Sequence, residues 1–541
     1  MRRRKPIHIG VDEPLRQPHH RRPMNRREFI SQGFRAGCAG LLGTSLYSLL
    51  GPRAHAISPD LLDPAFTNYS SCDLGKVAGR KIPFICFDLA GGANFAGGNV
   101  IVGGPGGQRD ALSTAGYAKL GLPPDILPFN ANAATLSGDF TDDSLGLLFH
   151  SESAMLRGIL EKASAVSGFC NGAVIPGRSE NDTGNNPHNP MYGIYRAGLR
   201  GQILQLIGSE NSMSGGNSLA PAMLIDPELQ PTKIDRPSDA SGLVDVGDLK
   251  FLLEDTEDIV SVLESMKRIT DFKMDLVNTR ISNPSDEDQR LKDRFSCEYL
   301  RSADTLENFS NPDALNPEQD PEIVGEGGIF TAQEFDDDRE FQKTASVMKL
   351  VIDGIAGCGT VEMGGYDYHG NSRNSTDARD LRAGRCIGAC LEYARRKQTP
   401  LMLYVFSDGS LSSNGSSEIV NGVEKFMWSS DNSSTACSFF LVYDPGGMPQ
   451  LLDDGLSDPL VHQQIGWMRP DASVETLSTP AANNVNLNVE MVILNYMALH
   501  GEQGLFAMEN FFPSQGLGDP AALDRYIAFQ PLPSISGGVL A

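Results

Sequence analysis

Acidic residues follow four apolar runs of this chain, and one of them has a histidine two positions later. The residues are Asp88, Asp367 with His369, Asp408 and Asp444. If the runs are neighbouring parallel strands, these side chains meet at one edge of a sheet. Crowded carboxylates need a proton or a cation, and oxygen with imidazole ligands suits zinc, manganese or a similar divalent ion. The pattern predicts a metal site of Asp88, Asp367, His369 and Asp408, although Asp after a strand is also an ordinary turn residue.

Five histidines follow position 56, and one of them lies in a segment without core periodicity. His188 is part of the polar, turn-rich stretch at residues 181–190. An imidazole in such a loop is a better ligand candidate than one on an apolar face, so His188 is predicted as a fifth metal ligand. A structural role is favoured for His150 and His500 at expected helix ends, and His462 is left open.

The elements that must position these residues alternate between strands and helices. Apolar runs predict strands at 81–87, 358–363, 401–406 and 438–443. Helical periodicity predicts helices at 256–276, from 344 to a closing Gly357, and from an N-cap at Thr376 to 397. This alternation indicates an α/β fold with a doubly wound, mostly parallel sheet. The acidic, proline-dotted residues 281–340 predict an inserted surface region.

Residues 25–56 have the features of an export signal. Arg26 and Arg27 precede an apolar run at 36–50, and Ala54-His55-Ala56 follows. A basic head, a short apolar run and an A-x-A end are typical of a cleavable signal peptide, and paired arginines indicate the twin-arginine route. A chance arginine pair before a buried N-terminal helix is the alternative. We expect cleavage near Ala56, a periplasmic or extracellular protein spanning 57–541, and no stable transmembrane segment.

Charge and cysteine spacing argue against several classes of protein. The net charge is −23, and residues 1–56 hold 11 Lys and Arg against 3 Asp and Glu, so the remainder has a net charge of −31. Such a charge disfavours binding to nucleic acid or to anionic membranes, since both are polyanions. The eight cysteines after position 56 include no C-x-x-C pair, which argues against a zinc ribbon or a thioredoxin-type site. Most of them are expected to be buried as small apolar residues.

In chain order, these motifs resemble those of a known family. The export signal is followed by the loop at residues 91–94 (GGAN), the loop at 186–189 (NPHN), the segment at 364–369 (GGYDYH) and a strand ending at Asp408. Residues 25–450 thereby resemble an uncharacterised, twin-arginine-exported bacterial family related to the alkaline phosphatase and sulfatase superfamily. Its members are often named twin-arginine translocation signal domain-containing proteins or general secretion pathway proteins. The most specific point is residues 365–369, which resemble the family's Gly-Trp-Asp-Thr-His motif.

The resemblance implies an alkaline-phosphatase-like core with loop-rich insertions and a divalent metal ion. Asp367 and His369 match the family's Asp-x-His, and His188 matches the histidine of its Ser-His loop. Asp408 stands near the family's acidic residue after Phe-Ser.

Departures from the family's pattern are equally informative. Pro187 stands where the family has serine, and residues 431–433 (DNS) stand where it has Asp-His-Gly, so one imidazole is lost. No Cys-x-Pro-x-Arg segment occurs, which excludes a sulfatase-type modified cysteine. Thr183 is a weak candidate for the nucleophile.

Two functions follow from these observations. The first is an exported metal-dependent hydrolase of a phosphate or sulfate ester, in which the ion polarises a phosphoryl or sulfuryl oxygen. The second is a non-catalytic periplasmic binding or secretion and assembly component on the same fold, which the lost imidazole favours. The expected partners are the twin-arginine translocase during export and a small-molecule or polymeric anionic ester.

Overall fold

The computed structural model describes residues 80–179, 186–244 and 312–540, apart from positions 371, 454, 456 and 457, together with parts of 261–273. Contacts divide the chain into two units, and the larger, residues 75–245 and 311–541, contains every strand and helix that is given a label below. Of the predicted helix at 256–276, the described residues 261–262, 265–266, 268–270 and 272–273 are helical. The predicted signal at 25–56 lies outside the described residues.

Strands and helices alternate through the larger unit. The strands are β1 Phe84–Gly92, β2 Thr141–Leu145, β3 Leu147–His150, β4 Cys170–Pro176, β5 Leu204–Gly208, β6 Thr232–Lys233, β7 Ala356–Asp367, β8 Leu401–Ser407, β9 Leu411–Val420, β10 Val423–Asp431, β11 Cys437–Tyr443, β12 Ile535–Ser536 and β13 Val539–Leu540. The α-helices are α1 Thr114–Lys119, α2 Ala154–Ala163, α3 Met191–Arg196, α4 Pro237–Ser241, α5 Ala332–Asp337, α6 Arg339–Ile352, α7 Arg373–Arg396 and α8 Val485–Leu499.

The central sheet has seven strands in the order β4-β11-β8-β1-β7-β5-β6. The strand β1 is parallel to β7 and β8, and β5 is parallel to β7 and β6. The strand β11 is antiparallel to both of its neighbours, β8 and β4. The prediction of an α/β fold with a mostly parallel sheet is therefore confirmed.

Helices cover both faces of this sheet because its strands are apolar on both sides. On one face, Phe84 and Cys86 of β1 pack with α3 and α8 in one large hydrophobic core. On the other face, Gly359 of β7 lies so close to α6 that a Cβ there would be 2.6 Å from Val347 Cγ1. The successive residues Cys358 and Gly359 thus contact opposite layers, as strand geometry requires.

Several predicted boundaries were wrong, each for a local reason. The helix α7 begins after Ser372 rather than after Thr376, and the Glu418 carboxylate of β9 accepts the Arg373 N–H at 2.6 Å. The helix α6 ends at Ile352, because Gly354 with φ of 82° turns the chain three residues before the predicted stop at Gly357. The strand β7 continues to Asp367 instead of ending at residue 363.

The β9–β10 hairpin explains the direction of β11. It stands between β8 and β11 in the chain and turns at Asn421 and Gly422, whose φ values of 52° and 85° suit a two-residue hairpin turn. No crossover helix intervenes between β8 and β11, so β11 returns antiparallel to β8. Asp444 consequently follows β11 at the edge opposite to the carboxyl ends of β1, β7 and β8, and the prediction that it joins them was wrong.

Six cysteines fall within the described residues, and all are buried free thiols: Cys86, Cys170, Cys358, Cys386, Cys390 and Cys437. This confirms the expectation that most of them are small core residues. Burial raises the pKa of the Cys86 and Cys170 thiols to about 12. Among the helices of the described ranges, none is both long and apolar enough to cross a bilayer.

Candidate functional site

The candidate site lies at the edge of the sheet where β1, β4, β7 and β8 end. Gly91 has a φ of 134°, and a Cβ at this position would lie 2.4 Å from the Asp367 backbone nitrogen. Only glycine combines that conformation with so close an approach. Gly92 is paired with Asp367 in the sheet and also adjoins the Asp408 carbonyl. The loop after β1 therefore stands between the Asp367 and Asp408 segments.

A serine and a histidine form a buried pair at this edge. Ser179 follows β4, and its Oγ lies 2.8 Å from His188 Nε2. Ser179 is 1% exposed and His188 is 4% exposed. The His188 ring also stacks on Phe406 of β8, with a centroid distance of 5.6 Å and an interplanar angle of 18°. The predicted ligand His188 is thus held by a hydroxyl and an aromatic ring.

Hydrogen-bond directions fix the roles in this pair. The Gly409 N–H donates to Ser179 Oγ at 3.0 Å, and the Asn186 amide donates to the same oxygen at 3.4 Å. With two donors on its lone pairs, the hydroxyl has its own proton left to donate, and His188 Nε2 accepts it. The neutral imidazole must then carry its proton on Nδ1, which is buried and has no hydrogen-bond partner among the described residues.

Burial keeps the His188 imidazole neutral. Loss of solvation is the cause that lowers its pKa to about 4. A neutral imidazole beside a serine hydroxyl can accept the hydroxyl proton, as a general base does, and the lowered pKa makes it a weaker base than an ordinary histidine.

Asp408 joins this group through an amide. Its side chain is fully buried, and Asn186 Nδ2 donates to Asp408 Oδ1 at 2.7 Å. Asn186 thereby links the carboxylate of Asp408 to the hydroxyl of Ser179. We refer to Ser179, Asn186, His188 and Asp408 as the buried serine cluster.

Asp88 lies elsewhere, in the interior of β1 rather than at its end. Its carboxylate accepts the Asn217 and Ser218 N–H groups at 2.8 and 2.7 Å and the Ser218 hydroxyl at 3.1 Å. Burial raises the pKa of Asp88 to about 7, and Glu362 on the neighbouring strand adds to the rise, whereas the bonds from Ser218 and Asn217 oppose it. Asp88 thus anchors the loop that follows β5.

Asp367 and His369 form a second group with Asp431, at the end of β10. His369 Nδ1 contacts an Asp367 carboxylate oxygen and lies 3.4 Å from Asp431 Oδ1. Their side chains are 50%, 57% and 48% exposed for His369, Asp367 and Asp431. We refer to these three residues as the exposed histidine cluster.

A buried network supports the loop that carries His369. The Tyr368 hydroxyl donates to Asp380 Oδ1 at 2.6 Å, and Asn99 donates to Asp380 Oδ2 at 3.0 Å. Burial, with the neighbouring Asp377 carboxylate, raises the pKa of Asp380 to about 6. Tyr368 therefore anchors the Gly-Tyr-Asp-Tyr-His segment to α7 through Asp380.

The five predicted metal ligands consequently lie in three places. His188 and Asp408 belong to the buried serine cluster, Asp367 and His369 to the exposed histidine cluster, and Asp88 to the loop after β5. Within the described ranges, no group of three or more His, Cys, Asp or Glu side chains is arranged as the ligands of one metal ion. Thr183 lies outside the described residues.

His150, His462 and His500 contact backbone groups. His150 Nε2 contacts the Ile126 carbonyl, and its Nδ1 accepts the Glu152 N–H. His500 ends α8, accepts the Ile82 N–H through Nε2 and contacts the Tyr496 carbonyl through Nδ1. His462 Nδ1 contacts the Ile527 carbonyl at 2.8 Å.

Sequence reasoning missed Ser179, Asn186 and the strand that positions Ser179. The signal was present, because residues 170–176 (CNGAVIP) form a short, largely apolar run that ends in polar residues.

No family model, curated protein or solved structure matches this chain.

Proposed function

We propose that this chain is an exported hydrolase of a phosphate or sulfate ester, with Ser179 as the nucleophile and His188 as the general base. The observation that carries the proposal is the 2.8 Å contact between Ser179 Oγ and His188 Nε2. A hydroxyl whose proton is already directed at a neutral imidazole is activated for attack. An alkaline-phosphatase-like core remains part of the proposal, on the strength of the family resemblance.

The reaction would take place in two displacements. In the first, Ser179 Oγ bonds to the phosphorus or sulfur atom, its proton moves to His188 Nε2, and the ester oxygen leaves as the alcohol with that proton. In the second, water attacks the seryl ester, gives a proton to His188 and releases phosphate or sulfate, while the serine oxygen recovers a proton. The Gly409 N–H and the Asn186 amide hold Ser179 Oγ in place throughout.

A divalent metal ion is proposed as a cofactor of this site. Asp367, His369 and Asp431 are its candidate ligands, since two carboxylates and an imidazole are a suitable donor set for zinc or manganese. The described structure does not arrange these three side chains around one ion, so they would have to rotate to hold it. When bound, the ion would polarise a phosphoryl or sulfuryl oxygen.

Serine and histidine variants test the proposal. We expect Ser179→Ala and His188→Gln each to lower kcat/KM for p-nitrophenyl phosphate or p-nitrophenyl sulfate by at least ~10³-fold, because members of a catalytic unit fail together. Ser346→Ala is the matched control, since Ser346 is a buried serine of α6 whose hydroxyl donates to the Gln342 carbonyl. Full activity in Ser179→Ala would contradict the proposed nucleophile.

Metal analysis tests the cofactor separately. Protein purified from the periplasm should contain a stoichiometric divalent ion, and Asp367→Asn combined with His369→Ala should remove it. An ion that remains in the double variant would show that other residues bind it. No ion in the wild type, with thermal stability unchanged by chelator, would rule the cofactor out.

A non-catalytic binding or secretion and assembly component is the second candidate. The observation in its favour is the near-complete burial of Ser179. In that case the Ser179–His188 bond serves only to fasten the ends of the segment between them. A chain that turns over neither ester but binds inorganic phosphate or sulfate would support this candidate.

Export by the twin-arginine translocase belongs to the same proposal. Fusion of residues 1–60 to a reporter protein should direct that reporter to the periplasm. Replacement of Arg26 and Arg27 by lysine should retain it in the cytoplasm.

A further inference from the structure

Arg178, next to the proposed nucleophile, has only neutral partners. Its Nη1 donates to Asn483 Oδ1 at 3.2 Å and its Nη2 to Ser433 Oγ at 3.1 Å. Its Nε is buried and has no hydrogen-bond partner among the described residues. Within the same ranges, no carboxylate forms an ion pair with this guanidinium.

The described arginines differ in this respect. Arg157, Arg196 and Arg200 likewise form no ion pair with a carboxylate among the described residues. Arg373, Arg385 and Arg395, for comparison, each pair with a carboxylate at 2.7–2.8 Å. The charge of Arg178 is therefore left uncompensated by the described protein.

Ser433 connects Arg178 to the buried serine cluster. The Ser179 N–H donates to the Ser433 carbonyl at 3.2 Å, while the hydroxyl of the same Ser433 holds Arg178. The backbone N–H of Arg178 donates to the Ala482 carbonyl at 2.8 Å. The guanidinium is thus fixed at the same edge of the sheet as Ser179 Oγ.

The Nε donor of Arg178 lacks an acceptor. A guanidinium nitrogen can only donate, and this one is buried without a hydrogen-bond partner among the described residues. Buried donors without acceptors are costly in a native structure, and oxygen atoms of a bound anion would relieve that cost. A guanidinium is also the side chain best suited to phosphate and sulfate oxygens.

We infer that Arg178 is the specificity-determining residue that selects anionic esters over neutral ones at the Ser179 site. This inference rests on the proposed function and extends it. Asp408 lies at the same edge, linked to Ser179 through Asn186, and its carboxylate repels an anionic substrate. Arg178 offsets that repulsion where the phosphate or sulfate group must approach the nucleophile.

The test compares charged and neutral esters of the same leaving group. For Arg178→Gln, kcat/KM for p-nitrophenyl phosphate should fall about 100-fold, because a charge-assisted contact to the anion is lost. Its kcat/KM for p-nitrophenyl acetate should change less than about threefold. Arg178→Lys should recover part of the phosphate activity, since the charge returns without the planar fork. Arg109→Gln, which removes an exposed cation paired with Asp143, is the matched control.

Equal losses for both esters would overturn the inference, because they would mean that Arg178 only supports Ser433 and Asn483. Unchanged activity toward both esters would overturn it as well. If Ser179→Ala keeps full activity, the proposed nucleophile fails while the ratio of the two esters still tests Arg178.

A binding measurement does not depend on turnover. Calorimetry with inorganic phosphate should show binding to the wild type and to Ser179→Ala, and at least tenfold weaker binding to Arg178→Gln. Failure of the wild type to bind phosphate or sulfate, or equal affinity in Arg178→Gln, would exclude Arg178 as an anion-recognising residue.

Discussion

The two histidine clusters at the carboxyl edge of the sheet differ in exposure and therefore in chemistry. His188 is almost fully buried, is stacked on Phe406 and faces a hydroxyl, whereas His369 is half exposed and faces the carboxylates of Asp367 and Asp431. Burial keeps the first imidazole neutral, so it can accept a proton. The two carboxylates beside the second imidazole favour the binding of a cation there. The same side chain is thus suited to proton transfer at one site and to cation binding at the other.

The largest expected effect distinguishes the two histidines by whether added metal restores the activity of each variant. His188→Gln should lower kcat/KM for the phosphate ester by at least ~10³-fold at any metal concentration, because the base is lost. His369→Gln should lower it less, and added zinc or manganese should restore much of the activity, because a weakened site is filled by mass action. Metal rescue of His188→Gln, or no rescue of His369→Gln, would contradict the division of roles.

The next effect compares the free energy of unfolding that is lost when a buried or an exposed carboxylate is replaced. Asp88→Ala should reduce the free energy of unfolding by about 3 kcal/mol, because the Asn217 and Ser218 N–H groups would be left in the interior without their acceptor. Asp367→Ala, at a half-exposed position, should change it by less than about 0.5 kcal/mol. Urea unfolding of both variants measures the difference. Similar losses would show that Asp367 has a structural role as large as that of Asp88.

A third prediction concerns pH and the buried imidazole. Because the pKa of His188 is lowered from 6.5 to about 4, the unfolded chain binds a proton in this interval that the folded chain does not. The stability that the neutral ring contributes is present above pH 6.5 and is lost as pH falls towards 4, by about 3 kcal/mol in total. The stability gap between wild type and His188→Gln should therefore narrow by that amount. Urea unfolding at pH 4–8 measures the gap, and a constant gap would contradict the lowered pKa.

The smallest expected effect tests Asp431, the third residue of the exposed histidine cluster. Asp431→Asn should leave the free energy of unfolding within about 0.5 kcal/mol of the wild type, since the pair with His369 is half exposed. Its affinity for the divalent ion should nevertheless fall, because one anionic ligand is removed. Unchanged metal affinity in equilibrium dialysis would remove Asp431 from the proposed site.

Sequence reasoning identified four strands of the central sheet from their continuous hydrophobicity and missed β4, β5 and β6. The runs that became β1, β7, β8 and β11 are buried on both faces, so their composition alone reveals them. The direction of β11 depends on the β9–β10 hairpin, whose residues 411–420 are serine-rich and largely exposed and therefore lack the apolar pattern of a strand. Strand direction is a property of the connection, which the composition of a single strand does not report.

The sequence predicted most carboxylates and histidines of the candidate site, but not which of them lie together. Asp88 was expected at a strand end because the apolar run stops there, yet β1 continues through the glycines to Gly92. Ser179 could not be assigned, because its role depends on a contact with His188 across nine positions. Asn186, likewise, acquires its role only through bonds to Ser179 and Asp408.

The burial of the six thiols bears on whether this chain should fold before it enters an oxidising environment. Thiolate is the form that oxidants attack, and Cys86 and Cys170, with pKa raised to about 12, contain almost none of it in the folded state. In an unfolded chain the same thiols would be exposed with an ordinary pKa of about 8.5, so a small fraction would be thiolate at neutral pH, open to sulfenic acid formation and to mispaired disulfides. A chain that completes its fold in a reducing environment would carry its cysteines through an oxidising one unchanged. Tight packing therefore acts as chemical protection against oxidation, without any disulfide among the described residues.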